Sequence, residues 1–209
     1  MINLPKLILA SGSPRRAEIL NLVGWEFEKR VADIDEIEFF NEKPDDYVQR
    51  LAQEKAEFVA ENYENALVLG ADTIVVIDEK IIGKPKDLDD ARRMLELLSG
   101  RWHKVLTGVA LVRKEREKKR RGKKEKNPKS KIQNPKSVVR LQTTRVKFAA
   151  LSDVEIEYLV ENGEPLNKAG AYAVQAQAAL FIEEIQGDYW NVVGLPINQV
   201  YRMAKEICR

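Results

Sequence analysis

The chain of 209 residues contains one cysteine, Cys208, and one histidine, His103. A single cysteine excludes an internal disulfide and a cysteine-based metal cluster, which favours a reducing compartment. No apolar run approaches the roughly 18 residues that a membrane-spanning helix needs. The apolar stretch after Lys6 is also too short for the core of a signal peptide. We therefore expect a cytoplasmic protein with no membrane partner.

Several classes of catalytic motif are missing as well. The sequence has no Gly-Lys-Ser/Thr motif of the P-loop type, and no residue pattern supports a serine or cysteine hydrolase. His103 lies between Trp102 and Lys104 ahead of an apolar run, and we interpret it as structural rather than as a general base. Cys208 is close to the chain end, where catalytic geometry is poorly held.

The net charge of +2 hides an uneven distribution. Residues 113–140 carry 14 Lys and Arg and three Glu, a net charge of +11, whereas the rest carries 21 Lys and Arg and 30 Asp and Glu, a net charge of −9. We predict one domain over residues 1–209, with a basic, mobile loop insertion at 113–137, because few apolar residues could order that segment. The insertion has no aromatic side chain for base stacking, so nucleic acid is an unlikely partner.

Interleaved strand and helix patterns predict an α/β fold with a mixed sheet and flanking helices. Apolar and β-branched runs predict strands over residues 6–10, 67–70, 73–77, 104–112, 138–149 and 179–184. Apolar periodicity predicts helices over residues 14–22, 44–62, 88–98, 153–161 and 196–207. Asp87 is expected to cap the third helix, and Ser152 and Glu155 to form a capping box before the fourth.

The segment Ser11-Gly12-Ser13-Pro14-Arg15-Arg16 joins the first predicted strand to the first helix. Ser13 suits the N-cap and Pro14 the first helical position. A helix start presents unpaired N–H groups and partial positive charge, and the guanidinium groups of Arg15 and Arg16 suit phosphate oxygens. The segment favours a polyphosphate site; the alternative is a capped helix with two solvated arginines.

Four further residues suit a complex of a metal ion with a triphosphate. Glu36 ends an acidic run, and Asp72 lies between two apolar runs, where a buried carboxylate needs a partner or a metal. Lys55 lies on a predicted helix and Lys84 at a turn before the next helix. The carboxylates can hold a divalent cation and position a water, while the cations neutralise phosphate. Taken singly, Glu36 and the lysines could be solvated charges and Asp72 a hairpin-turn residue.

Six motifs follow one another along the chain: Leu-Ala-Ser-Gly-Ser-Pro-Arg-Arg, Glu-Lys-Ala, Gly-Ala-Asp-Thr, Gly-Lys-Pro, Lys-Ala-Gly-Ala-Tyr and Val-Val-Gly-Leu-Pro. This ordered set, which covers nearly the whole chain outside the insertion, resembles the Maf family of nucleoside triphosphate pyrophosphatases. The resemblance implies two lobes around a deep cleft, often in a homodimer. It also implies hydrolysis between the α and β phosphates of a nucleotide, with Mg²⁺ or Mn²⁺, to give a monophosphate and pyrophosphate.

The resemblance further implies roles for single residues. The positions that match the family's phosphate contacts are Ser11, Arg15, Arg16, Lys55 and Lys84. The two lysines are also expected among the catalytic groups, with the carboxylates Glu36 and Asp72 as metal ligands. We expect Asp72 to activate water and Glu36 to bind the metal, although the two roles could be exchanged or shared.

The motifs are similar to those of the branch that acts on dTTP and UTP. Arg15 follows Pro14 directly and the third motif reads Ala-Asp-Thr, whereas the branch acting on 7-methyl-GTP typically has Trp after the proline and Ser-Asp-Gln. Thr73 and Gln175 are therefore expected to contact substrate. The Gln175 amide can both donate and accept, as a pyrimidine edge requires. Modified pyrimidine nucleotides would use the same site.

Two alanines depart from the family pattern, because Ala176 and Ala178 stand where glycines are usual. If those positions need a positive φ, alanine adds strain there.

The alternative function is a nucleotide- or nucleic-acid-binding regulator of septation with little turnover, since the family is associated with arrest of septation. Deleting residues 113–137 separates the two hypotheses. An enzyme keeps its turnover, because no catalytic group is expected there, whereas a polyanion binder loses its salt-sensitive affinity. Pyrophosphate release and DNA binding at two salt concentrations are the measurements. Loss of turnover on deletion would contradict the enzymatic interpretation.

Overall fold

A computed structural model describes residues 4–114 and 136–208. The strands are β1 (Leu7–Leu9), β2 (Phe27–Lys29), β3 (Leu67–Ile77), β4 (Lys80–Ile82), β5 (Trp102–Arg113), β6 (Lys136–Phe148) and β7 (Ile182–Gln186). The helices are α1 (Pro14–Leu22), α2 (Pro44–Ala60), α3 (Leu88–Leu98), α4 (Asp153–Asn162), α5 (Tyr189–Val193) and α6 (Ile197–Ile207). No helix in these two ranges has the length and apolar character of a membrane span.

The seven strands form one mixed sheet, so the predicted α/β class is confirmed. Its order is β2-β1-β3-β5-β6-β7, and β4 pairs with β3 outside this path. β1 runs parallel to both β2 and β3, while the remaining pairs are antiparallel. The three parallel strands bring the ends of β1, β2 and β3 to one edge, where the predicted phosphate segment begins.

The two faces of the sheet are covered by different helices. Alternate residues of β1 point to opposite faces, as the two-residue period of a strand requires. Leu7 and Leu9 join the larger core, which contains residues of α1, α3, α4 and α6. Ile8 and Ala10 join a smaller core built on α2. Among residues 4–114 and 136–208, α2 is therefore the one helix that packs on the face opposite α1, α3, α4 and α6.

β3 is one continuous strand, so the break predicted between 67–70 and 73–77 was wrong. Asp72 lies in its middle, opposite Gly108 of β5, and is 7% exposed. The chain turns at Asp78 and Glu79 instead, which have φ values of 50° and 58°. Asp72 is thus a strand residue and not the hairpin-turn residue of the alternative interpretation.

Several boundaries differ from the sequence patterns for a simple reason of length. β2, β4 and α5 have five residues or fewer, too few to show a periodicity.

Other boundaries differ for other reasons. β7 starts at Ile182 because residues 177–180 form a 3₁₀ turn. β5 and β6 pair as far as Arg113 and Lys136. The rest of the predicted insertion, residues 115–135, lies outside the described residues, and a deletion is best confined to it.

The capping residues predicted at the N-termini of α3 and α4 are confirmed. The Asp87 side chain accepts the N–H of Asp90 at 2.8 Å. Ser152 and Glu155 form the predicted capping box, in which the Glu155 carboxylate accepts the Ser152 N–H at 2.7 Å.

Two glycines allow α2 to lie unusually close to the sheet. A Cβ at Gly70 would stand 2.2 Å from the carbonyl oxygen of Ala52, and one at Gly108 would stand 2.0 Å from that of Val48. These distances are far inside van der Waals contact, so any side chain would push the helix outward. Close approach brings Lys55 of α2 over Asp72 of β3.

We predict that Gly108→Ala lowers the free energy of unfolding by about 1–3 kcal/mol, the usual cost of overpacking. Thermal or urea unfolding measures the loss. Gly83→Ala is the matched control, because a Cβ there meets nothing within 4 Å, and its change should stay within about 0.5 kcal/mol. Equal stability of the two variants would contradict the tight contact at Gly108.

Candidate active site

The turn between β1 and α1 is organised by a serine hydroxyl. Ser13 occupies the N-cap position and Pro14 the first turn, as predicted, but the Ser13 side chain makes no capping hydrogen bond. Instead the Ser11 hydroxyl accepts the Ser13 N–H at 3.2 Å and Arg16 Nη1 at 3.0 Å. Ser11 is 6% exposed, so the turn is held from inside.

Arg16 is buried, and each of its guanidinium nitrogens donates to the protein. Besides Ser11, Nε donates to the Gly194 carbonyl at 2.9 Å and Nη2 to the Thr73 hydroxyl at 3.0 Å. Burial lowers the pKa of Arg16, and the charge of Asp72 opposes that shift. The side chain therefore supplies a fixed positive charge and ties α1, β3 and the turn after α5 together.

Lys55 lies between the two predicted carboxylates. Its ammonium is 2.6 Å from Asp72 Oδ1 and 2.7 Å from Glu36 Oε1. The side chains of Lys55 and Asp72 are both 10% exposed, whereas that of Glu36 is 53% exposed. The two carboxylates thus converge on one point, one from a rigid strand and one from a loop.

The charge of Glu36 is stabilised by this arrangement. Burial raises the pKa of Glu36, but the hydrogen bond and charge of Lys55 outweigh it, with help from Lys84 and Arg16. The pKa lies below its ordinary value as a result, so Glu36 is ionised at neutral pH.

Arg15 and Lys84 differ from the other two cations. Neither makes a side-chain hydrogen bond or ion pair with another described residue, in contrast to Arg16 and Lys55. Burial lowers the pKa of Arg15 against the charge of Glu18. Both side chains keep their donors for a ligand in the space they line.

One pocket of about 640 Å³ collects the whole predicted set. The lining residues that the sequence singled out are Ser11, Arg15, Arg16, Glu36, Lys55, Asp72, Thr73, Lys84 and Gln175. They come from segments as far apart in sequence as residues 11 and 175, so the fold alone brings them together. Gln175 is exposed on the loop between two 3₁₀ turns.

Two polar groups at the pocket, the Tyr47 hydroxyl and the Gly194 carbonyl, were not predicted from the sequence. Tyr47 lines it and donates its hydroxyl to the Glu36 carbonyl at 3.2 Å. Burial, together with the charges of Asp72 and Glu36, raises the pKa of Tyr47 to about 12, so it remains a donor. Its place two turns before Lys55 on α2 is a signal that the sequence offered. Gly194 belongs to the sixth motif, but nothing in the sequence indicates that its carbonyl accepts from Arg16.

His103 is part of the core. It is 3% exposed, and its Nε2 shares a hydrogen bond of 2.7 Å with the Tyr172 hydroxyl. Burial lowers the pKa of His103 to about 4, so it is neutral at pH 7. This environment fits the structural interpretation.

The alanines that replace family glycines are not strained by a left-handed backbone. Ala176 has a φ of −123°, and Ala178 is not among the residues with positive φ in the described chain. The left-handed pair lies nearby instead, at Gly170 and Ala171, with φ values of 69° and 64°.

The donor set fits a divalent cation bound together with phosphate. Asp72 and Glu36 present carboxylate oxygens that converge on the Lys55 ammonium, and Mg²⁺ is commonly bound by one or two carboxylates plus phosphate oxygens. The described residues include no group of three or more His, Cys, Asp or Glu side chains arranged to hold a metal. Such a cation would therefore depend on these two carboxylates and on the ligand.

Comparison with known proteins places the chain in one family. A family model described as Maf-like protein matches residues 6–207. A dTTP/UTP pyrophosphatase of Bacillus cytotoxicus is 45% identical over 201 residues, which cover 96% of this chain and 95% of that protein. A dTTP/UTP pyrophosphatase of Symbiobacterium thermophilum is 46% identical, with 96% and 93% covered. With nearly the full length matched and the motif residues gathered in one pocket, the chain belongs to the Maf family.

Proposed function

We propose that this chain is a nucleoside triphosphate pyrophosphatase that hydrolyses dTTP and UTP to the monophosphate and pyrophosphate. The observation that carries the proposal is the convergence of Asp72 and Glu36 on Lys55 in a pocket that also holds Arg15 and Lys84. The relatives that share 45% and 46% of its sequence bear that name. Homodimer assembly and a cytoplasmic location remain predictions of the sequence.

Arg15, Lys84 and the start of α1 are assigned to the triphosphate. The first turn of a helix presents N–H groups and positive potential to an anion, and Arg15 extends that surface with a planar guanidinium. Lys84 also lines the pocket, and its charge helps to lower the pKa of Glu36. The fixed charge of Arg16 adds to the field without giving up its protein hydrogen bonds.

Asp72 is assigned as the group that takes the proton from the attacking water. It projects from β3, where it pairs with Gly108 of β5, so its backbone is held more firmly than that of Glu36 on a loop. A general base must stand within hydrogen-bond reach of its proton. The water oxygen bonds to the α phosphorus, the bond to the bridging oxygen breaks, and pyrophosphate leaves.

Glu36 and Asp72 would hold a divalent cation, Mg²⁺ or Mn²⁺. When bound, the cation neutralises phosphate charge and makes a coordinated water more acidic. Lys55 contacts both carboxylates and is assigned to orient them and to share the negative charge of the substrate. Gln175 is assigned to the base, because its amide can pair with both donors and acceptors of a pyrimidine.

The regulator interpretation has less support. It rests on the family's association with arrest of septation and on the basic insertion, of which residues 115–135 lie outside the described part of the chain. The enzymatic proposal, in contrast, is supported by the described residues, because those expected to be catalytic line one pocket.

The first product identifies the reaction. Purified protein with Mg²⁺ should release pyrophosphate and dTMP from dTTP, and UMP from UTP, as followed by ion-exchange chromatography without added pyrophosphatase. In a substrate panel measured as kcat/KM, dTTP and UTP should exceed purine triphosphates and 7-methyl-GTP. Modified pyrimidine triphosphates belong in the same panel. Orthophosphate as the first product would overturn the proposal.

Asp72→Asn should lower kcat by about 10²-fold or more, because it removes the proton acceptor while keeping the size of the side chain. Steady-state kinetics with dTTP measures the loss. Asp78→Asn is a matched control at the end of the same strand, where the aspartate pairs with Arg101 away from the pocket. Near-normal turnover of Asp72→Asn would move the proton-accepting role to another residue.

A further inference from the structure

Glu36 stands on a segment that has no regular secondary structure to hold it. Residues 30–43, all within the described chain, form neither helix nor strand. The Glu36 side chain is 53% exposed, so its own packing does little to fix it. Yet its carboxylate must meet that of Asp72, which is anchored in β3.

Two side chains of α2 hold this loop by donating hydrogen bonds to two consecutive backbone carbonyls of the loop. The Tyr47 hydroxyl donates to the carbonyl of Glu36 at 3.2 Å, and Arg50 Nη2 donates to the carbonyl of Ile37 at 2.9 Å. These two donors lie one turn apart on α2, and their bonds hold the two successive peptide links that follow Glu36. The direction of the Glu36 side chain is thereby tied to the helix that carries Lys55.

Arg50 also binds the far end of the same loop. Its Nε and Nη2 donate to the two oxygens of Glu42 at 2.6 and 2.7 Å, a two-pronged pairing. The Glu42 carboxylate in turn accepts the Phe39 N–H at 3.1 Å. The side chains of Arg50 and Glu42 are only 19% and 8% exposed, so this pair is better shielded than a surface salt bridge.

An aromatic contact adds to the hydrogen bonds between Arg50 and the loop. The Arg50 guanidinium carbon lies 3.9 Å from the centre of the Phe39 ring, within the range of a cation–π interaction. The hydrogen bond from Arg50 lowers the pKa of Glu42 and keeps it ionised. Arg50 thus contacts the loop at Ile37, Phe39 and Glu42, on both sides of its turn.

We infer that Arg50 is a positioning residue of the active site, which together with Tyr47 fixes the loop of residues 36–42 so that the Glu36 carboxylate faces Asp72. The inference rests on the proposed function, in which these two carboxylates hold a divalent cation. Arg50 does not line the pocket, so it acts on the site through the loop that carries Glu36.

A double-mutant cycle on Mn²⁺ affinity tests this inference. The proteins are the parent chain, Arg50→Ala, Glu36→Gln and the double variant, each titrated with Mn²⁺ by electron paramagnetic resonance or calorimetry. Arg50→Ala should weaken Mn²⁺ binding by about tenfold, the lower end of the loss expected when a residue that orients a metal ligand is removed. In the Glu36→Gln background the same change should weaken binding by less than about twofold, since coupled residues are non-additive. The kcat/KM for dTTP should follow the same cycle.

Two further variants separate positioning from stability. Arg50→Lys keeps the charge but loses the planar fork, so it should fold and still bind Mn²⁺ more weakly than the parent. Arg92→Ala is the matched control, because Arg92 pairs through Nε and Nη2 with Glu157, also bonds Asp89 on its own helix, and lies outside the pocket. It should leave Mn²⁺ affinity unchanged even where it lowers the melting temperature.

The possible outcomes distinguish the positioning role of Arg50 from the proposed function on which it rests. Equal losses from Arg50→Ala in both backgrounds, or parent-like Mn²⁺ affinity of Arg50→Ala, would overturn the positioning role alone. Parent-like Mn²⁺ affinity of Glu36→Gln would overturn the metal-ligand role proposed for Glu36, and the role of Arg50 with it.

Discussion

A single ammonium group between two carboxylates is the interaction around which this structure is organised. Lys55 meets Asp72 and Glu36 at hydrogen-bond distance, and the three residues come from a helix, a strand and a loop. Charges taken out of water are costly unless their geometry is good. The fold must therefore hold three separate segments in register, and much of its detail around the pocket serves that requirement.

Helix α2 meets most of this requirement by itself. It packs on the face of the sheet opposite α1, α3, α4 and α6, and Gly70 and Gly108 let its backbone approach the strands. Lys55 points from it to the strand, while Tyr47 and Arg50 point to the loop. Because one rigid helix carries all three side chains, a displacement of α2 moves both carboxylate contacts together.

The candidate site residues could be predicted because their side-chain chemistry is visible in the local sequence. Features that depend on tertiary packing could not be predicted in this way. Ser11, Arg15 and Arg16 could be found because a strand-to-helix turn with these residues suits phosphate, and Asp72 because a carboxylate in an apolar run demands a partner. Its place inside an unbroken strand was missed, since small residues at 70 and 71 look like a turn until a helix packs over them.

The contacts that fix the site were hidden for a different reason. Arg16 bonds the Gly194 carbonyl across 178 positions, and no local pattern marks a backbone acceptor. The short elements β2, β4 and α5 likewise owe their form to neighbours and not to periodicity. The α/β class and mixed sheet were accessible, because long helices and strands alternate along the chain.

The length of β5 affects where insertions and deletions can be tolerated as this chain evolves. Thr107 of β5 contacts Thr73 beside the pocket, and the strand then continues for six residues to Arg113, roughly 20 Å at the rise of an extended chain. Residues inserted or deleted beyond Arg113 therefore join the strand roughly 20 Å from the pocket. Length and charge can accumulate there as neutral variation, so this strand end is a place where lineages can diverge while their chemistry stays the same.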